Sequence, residues 1–99
     1  LSVRAYETPS RQELLVRLEG ILERAHGAEL SRRLKAYLEE TKGKLVLDMA
    51  KVRSIEEAAA REMCEKLQAY RSRITVSMPS GAHAAQFLLW ASFFKTYHV

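Results

Sequence analysis

The first residues alternate: Val3 and Ala5 fall on one side while Ser2, Arg4 and Tyr6 fall on the other, the two-residue period of a half-exposed strand over Leu1 to Glu7. Thr8-Pro9-Ser10-Arg11-Gln12 supplies turn chemistry, and the apolar run Leu14-Leu15-Val16 with Leu18 closes at Gly20. Strand, turn and strand make a hairpin. The period then lengthens. Leu30, Leu34, Tyr37 and Leu38 recur at helical spacing, with Arg32, Arg33, Lys35 and Glu39 facing away, and Gly43 stands where a left-handed C-terminal cap is expected. Leu45-Val46-Leu47 is an unbroken apolar run, which predicts a central strand covered on both faces.

Ser54 followed three residues later by Glu57 reads as a capping box that starts a helix near Ile55. Its stripe is Ala59 or Ala60, Met63, Leu67 and Tyr70, and it stops near Arg71. Ile74, Val76 and Met78 alternate with Thr75 and Ser77 as a strand that Pro79 ends. A last helix, capped by Ser80, carries Phe87, Leu88, Leu89, Trp90, Phe93 and Phe94 toward Tyr97. The order is β-β-α-β-α-β-α: an α/β fold whose mixed sheet begins with an N-terminal β-hairpin, continues through βαβ crossovers and ends on a C-terminal helix. Residues 1–99 read as a single domain, because a chain of 99 residues has room for one modest core.

Composition narrows the chemistry. The chain is 47% hydrophobic and 28% charged, an ordinary globular balance. Its formal charge of +4 is spread among interleaved acids and bases rather than gathered into a basic stripe. Arg71 and Arg73 beside Tyr70 come nearest to a nucleic-acid surface, so no nucleic-acid partner is expected. No apolar run approaches the ~20 residues that span a bilayer, and no signal-peptide pattern opens the chain; a cytoplasmic location without membrane insertion is expected. One cysteine, Cys64, excludes an internal disulfide. The three histidines, His26, His83 and His98, have no ligand spacing, and the four glycines form no phosphate loop. Neither catalytic residues nor a metal or cofactor site is expected, and the chain is read as no enzyme.

Gly20, the helix after it, then Lys44-Leu45-Val46-Leu47-Asp48-Met49, Val52 and Ile55-Glu56 opening a helix together resemble the STAS family, the sulfate transporter and anti-sigma factor antagonist domains. The resemblance spans nearly the whole chain: Leu1 to Leu18 fits the opening hairpin and Phe87 to Val99 the closing helix. It implies a bacterial, non-catalytic regulatory domain that contacts a protein partner, either an anti-sigma-factor-like kinase or another domain of a parent protein. In phosphorylatable members the helix begins with an acid, two hydroxyl residues and a glycine, whereas this chain has Glu56-Glu57-Ala58-Ala59. Ala58 takes the phospho-acceptor's place and offers no oxygen, so the family's serine switch cannot operate there. Glu56 and Glu57 either imitate a fixed negative charge or simply favour the positive end of the helix dipole.

Two surfaces compete for the partner. The resemblance points to the N-terminal rim of the second helix, Arg53, Ser54, Glu56, Glu57 and Ala58, with Asp48 beneath. The alternative is the last helix, where Phe87, Trp90, Ala91 and Phe94 form a stripe that Leu89, Phe93 and Tyr97 widen; Trp90 is its central residue. A homodimer, an accessory domain of a larger enzyme or transporter-associated protein, and a small-ligand or lipid-binding module stay open.

Overall fold

The computed structural model describes residues 1–79 and 85–98. Strands β1 (Ser2–Thr8) and β2 (Glu13–Leu22) form the expected antiparallel hairpin, joined by one turn of 3-10 helix at Pro9–Arg11. Gln12 ends that turn at φ 49, and its carbonyl accepts the Lys44 amide at 2.7 Å, fastening the hairpin to the next strand. There follow α1 (Arg24–Glu40), β3 (Lys44–Ile55), α2 (Glu57–Leu67), a 3-10 helix at Gln68–Arg73, β4 (Ile74–Met78), α3 (Ala85–Phe93) and β5 (Lys95–His98). The sheet order is β1-β2-β3-β4-β5, with β1 antiparallel and the other pairs parallel. The mixed α/β sheet led by a hairpin is therefore present, with β3 at its centre.

The helices pack side by side, α1 on α2 and α2 on α3, and the core lies between them and one face of the sheet. Strand periodicity shows this directly. Leu45, Leu47 and Met49 of β3 and Ile74, Val76 and Met78 of β4 are buried, while Val46, Asp48, Thr75 and Ser77 between them are only half-buried. The expectation that Leu45-Val46-Leu47 is covered on both faces is thus corrected: among the described residues, helices cover one face only. A short apolar run does not separate the two cases when one of its members is a valine that a half-exposed sheet face tolerates.

Four local expectations also change. Gly20 does not end β2; it sits inside the strand at φ 103, beside a register shift against β3, a bulge conformation open to glycine. Gly43 is not a left-handed cap. It is needed for space, since a Cβ there would come within 2.5 Å of the Gln12 carbonyl oxygen and the Tyr37 hydroxyl. The Ser54–Glu57 capping box does not form, because β3 continues through Ile55 and Glu56 becomes the N-cap. Finally, the last helix stops at Phe93, and Lys95–His98 adds a fifth strand parallel to β4, so the fold does not end on a helix. The Ser80 cap falls outside the described residues.

Close helix packing rests on small residues. Gly27 of α1 is buried where a Cβ would sit 3.0 Å from both Cα and Cβ of Ala59 on α2. At the other end, Trp90 is fully buried and meets Phe94 edge to face, with centroids 5.5 Å apart. Arg73 fastens the lower edge: Nε donates to Gly43 O, Nη1 to Leu38 O and Nη2 to Thr41 O, each at 2.9 Å. These carbonyls close α1 and open β3, so Arg73 serves as the missing cap of that loop.

Candidate functional site

Parallel strands deliver their C-terminal ends and the following helix N-termini to one rim of the sheet. Here β2 and β3 finish together: Ile21 pairs with Ser54, Leu22 with Ile55, and the Glu56 amide donates to Leu22 O at 2.9 Å. The Ala60 amide then donates to Glu56 O at 3.1 Å and closes the first turn of α2. Ile55 is buried and anchors the run, whereas Arg53, Ser54, Glu56, Glu57 and Ala58 are all exposed. Buried Ile55 thus sits between two exposed residues at the end of β3 and three at the start of α2. Glu57 is partly engaged, since its Oε1 accepts Arg61 Nε at 2.9 Å. Glu56 has no side-chain partner among the described contacts, and Ala58 presents only a methyl group to solvent.

The neighbouring helix start adds residues that the sequence reading passed over. Glu23 caps α1, its amide donating to His26 Nδ1 at 3.2 Å. Glu23 lies one residue past Leu22, and Ile21 before it is exposed, so the rim carries an apolar side chain and a further carboxylate beside Glu56. The sequence signal was present in Glu23-x-x-His26, but histidine at the third helical position departs from the usual capping pattern.

Two site residues fall elsewhere. Asp48 does not underlie the rim. It sits mid-strand on the uncovered sheet face, paired in register with Arg17, whose Nε donates to its Oδ2 at 3.0 Å; its Oδ1 accepts the Ala50 amide at 3.1 Å. At about 3.3 Å per residue, the length of β3 from Asp48 to Ile55 sets it roughly 20 Å from the helix start. Trp90, the residue that tests the rival surface, lies in the core with no exposed area and offers nothing to a partner, while the side chains of Phe87, Leu88 and Tyr97 fall outside the described ones. Phe93 and Leu89 beside it are half-buried.

Burial, with Glu65 adding to it, pushes the Cys64 thiol up to about 11, which leaves it protonated and unreactive at neutral pH. Elsewhere, hydrogen bonds from Arg32 and Arg33 hold the Glu29 carboxyl below its usual range in an exposed cluster on α1. Among the described residues, no three His, Cys, Asp or Glu side chains gather as metal ligands, and no helix is long and apolar enough to cross a membrane.

No protein-family model and no curated protein sequence matches the chain. Solved structures do. The unphosphorylated form of the anti-sigma factor antagonist SpoIIAA superposes with a TM-score of 0.71 at 8% identity, covering 99% of this chain and 89% of that one. The phosphorylated form of the Bacillus cell fate determinant SpoIIAA gives 0.66 at 12% identity, covering 99% and 91%. An uncharacterised DUF3478-family protein with a SpoIIAA-like fold from Shewanella loihica PV-4 gives 0.64 at 12%, covering 99% and 84%. At these identities the likeness is one of architecture, and over almost its whole length the chain has the SpoIIAA-like fold.

Proposed function

We propose that this chain is a non-catalytic regulatory domain that binds a protein partner through the rim Arg53, Ser54, Glu56, Glu57 and Ala58, without serine phosphorylation. The exposed strip at the start of α2, held out by buried Ile55, carries the reading. The SpoIIAA-like fold supports it, because SpoIIAA is described both as an anti-sigma factor antagonist and in a phosphorylated form. The partner class is a protein, an anti-sigma-factor-like kinase or another domain of a parent protein, met in the bacterial cytoplasm. Ala58 lacks the oxygen that a phosphorylation switch needs, so binding stays constant where a phosphorylatable relative would be released. Asp48 and Trp90 take no part in this surface.

Glu56→Lys tests the rim. The side chain is exposed and unpaired, so reversal changes stability by under ~0.5 kcal/mol while weakening a complementary interface. Partner affinity, measured by calorimetry on the complex recovered with the wild-type chain, falls at least about tenfold with an unchanged melting temperature. Unchanged affinity removes the rim from the interface. Stoichiometric phosphoserine at Ser54, seen by mass spectrometry, would show that the switch has moved by a few residues rather than vanished.

A further inference from the structure

Four large hydrophobic side chains are exposed among the described residues: Leu1, Val3, Tyr6 and Ile21. Leu1, Val3 and Tyr6 lie on or beside β1, whereas Ile21 belongs to the rim at the end of β2. Every residue of β1 is exposed, and the strand forms one edge of the sheet, so along its outer side the amides and carbonyls that point away from β2 have no strand to meet. Edge strands are ordinarily defended by proline, a bulge or an inward-pointing lysine. β1 has no proline, bulge or lysine, its pairing with β2 running without a register break from Ser2 to Thr8, and its charges are limited to Arg4 and, on the helix side, Glu7. On its helix side, Val3 and Ala5 border an open groove of about 290 Å³, floored by Leu14 and walled by Leu30, Leu34 and Arg33 of α1.

We infer that β1 is a self-association edge and that its occupant is β1 of a second copy of this chain. Only an extended segment satisfies an unpaired strand edge. β1 is suited to meet itself, because its two charges are one Arg and one Glu. A two-fold axis normal to the sheet keeps each side chain on its own face, so an antiparallel pair must join residues of like parity. Centred on Ala5, it sets Arg4 across from the partner's Tyr6 and Val3 across from the partner's Glu7. Centred on Arg4, it opposes two like charges. The Ala5 register is therefore the favoured one. Tyr6 already carries the Arg17 guanidinium 5.8 Å from its ring centroid, and the partner's Arg4 extends that stack on the open face. On the helix face the partner's Glu7 comes to the mouth of a groove lined by both Glu29 and Arg33, which already pair with each other at 2.9 Å, so the contact there rests on the apolar lining of Val3, Ala5, Leu14, Leu30 and Leu34 and not on charge. The result is one continuous ten-stranded sheet with the groove closed over from both sides. The dimer is centred opposite Val16, away from Leu22 and Glu56, and leaves both rims free.

Sedimentation equilibrium and site-directed cross-linking test this on the full chain. Wild type sediments as twice 11.3 kDa. Val3→Lys places a charge on the exposed helix side of β1, so it sediments as a monomer, with the dissociation constant raised about tenfold or more and the thermal melt unchanged. Ala5→Cys gives a reducible dimer under mild copper-phenanthroline oxidation while Ser2→Cys does not, and buried Cys64 with its raised pKa does not compete. The cross-link reads the register even if Val3→Lys folds poorly. A wild-type chain that stays monomeric at roughly millimolar concentration overturns the inference. So does a Val3→Lys dimer of unchanged affinity, or equal cross-linking at positions 2 and 5. A monomer whose groove binds an anilinonaphthalene dye, lost in Val3→Lys, overturns it too and assigns the groove to a small apolar ligand.

Discussion

Arg73→Met removes the side chain on which the junction of α1, β3 and β4 depends. Its guanidinium donates to three separate carbonyls, Leu38 O, Thr41 O and Gly43 O, each at 2.9 Å and partly buried. Methionine fills much of the same volume but donates nothing, and the freed carbonyls recover only as much hydration as a half-buried loop allows. At about 1 kcal/mol net for each bond, the loss is about 3 kcal/mol, below the range for fully buried charged donors because the site is partly solvated. For a domain of this size that lowers Tm by about 12–24 °C. Arg73→Lys restores at most one of the three bonds, since an ammonium cannot span acceptors that a planar fork reaches together, so it recovers no more than about a third of the loss. Arg71→Met is the control, an exposed arginine worth under ~0.5 kcal/mol. Circular dichroism melts and urea titrations of the three variants give the comparison. If Arg73→Met melts with Arg71→Met, the capping role is wrong; if it keeps its stability but loses affinity for single-stranded nucleic acid, the recognition reading of Arg71, Arg73 and Tyr70 returns in its place.

Trp90→Ala empties the centre of the core and costs about 3–5 kcal/mol in urea unfolding, whereas a surface tryptophan would cost almost nothing. Gly43→Ala drives a Cβ against the Gln12 carbonyl and the Tyr37 hydroxyl and destabilises by about 1–3 kcal/mol although no left-handed conformation is lost; a neutral result would show that the hairpin shifts freely there. Cys64 has a pH signature: the unfolded thiol ionises near its ordinary 9.0 while the folded one holds its proton to about 11. Its contribution is complete below pH 9 and falls as pH rises toward 11, by on the order of 2 kcal/mol, so urea midpoints of wild type lose more across that window than those of Cys64→Ala. Parallel slopes would refute the burial of that thiol.

Where side chains report their own surroundings, the sequence was legible. Leu30, Leu34 and Leu38 mark the buried face of α1, Met63 and Leu67 that of α2, and Ile74, Val76 and Met78 the inner face of β4, because burial repeats with the period of each element. What failed depended on distant partners. Gly43 sits at a helix end and reads as a cap, yet the groups that demand it belong to Gln12 and Tyr37. Ser54 reads as an N-cap, but pairing with Ile21 keeps it in the sheet. Lys95-Thr96-Tyr97-His98 has no apolar alternation, and only β4 beside it makes it a strand. At the candidate site, Glu56, Glu57 and Ala58 were pointed to by the resemblance, and their exposure at the start of α2 follows from the buried Ile55 just before them. Asp48 was misplaced because a strand's length is invisible when its outer half, Ala50 to Ile55, mixes charges with apolar residues.

The sheet order has a consequence for how the molecule is made. Every strand lies next to its neighbour in the chain, so no strand has to be slotted between two already in place. During synthesis the β1–β2 hairpin can form first, and each later strand needs only the one just completed as its template. The same order makes the nascent chain vulnerable at one moment. Once β3 has paired with β2 and before β4 emerges, the free edge of the apolar central strand is open to any other chain in the same state. A product truncated between Ile55 and Ile74 is therefore the form expected to aggregate, through the Leu45–Asp48 edge that β4 covers in the finished molecule.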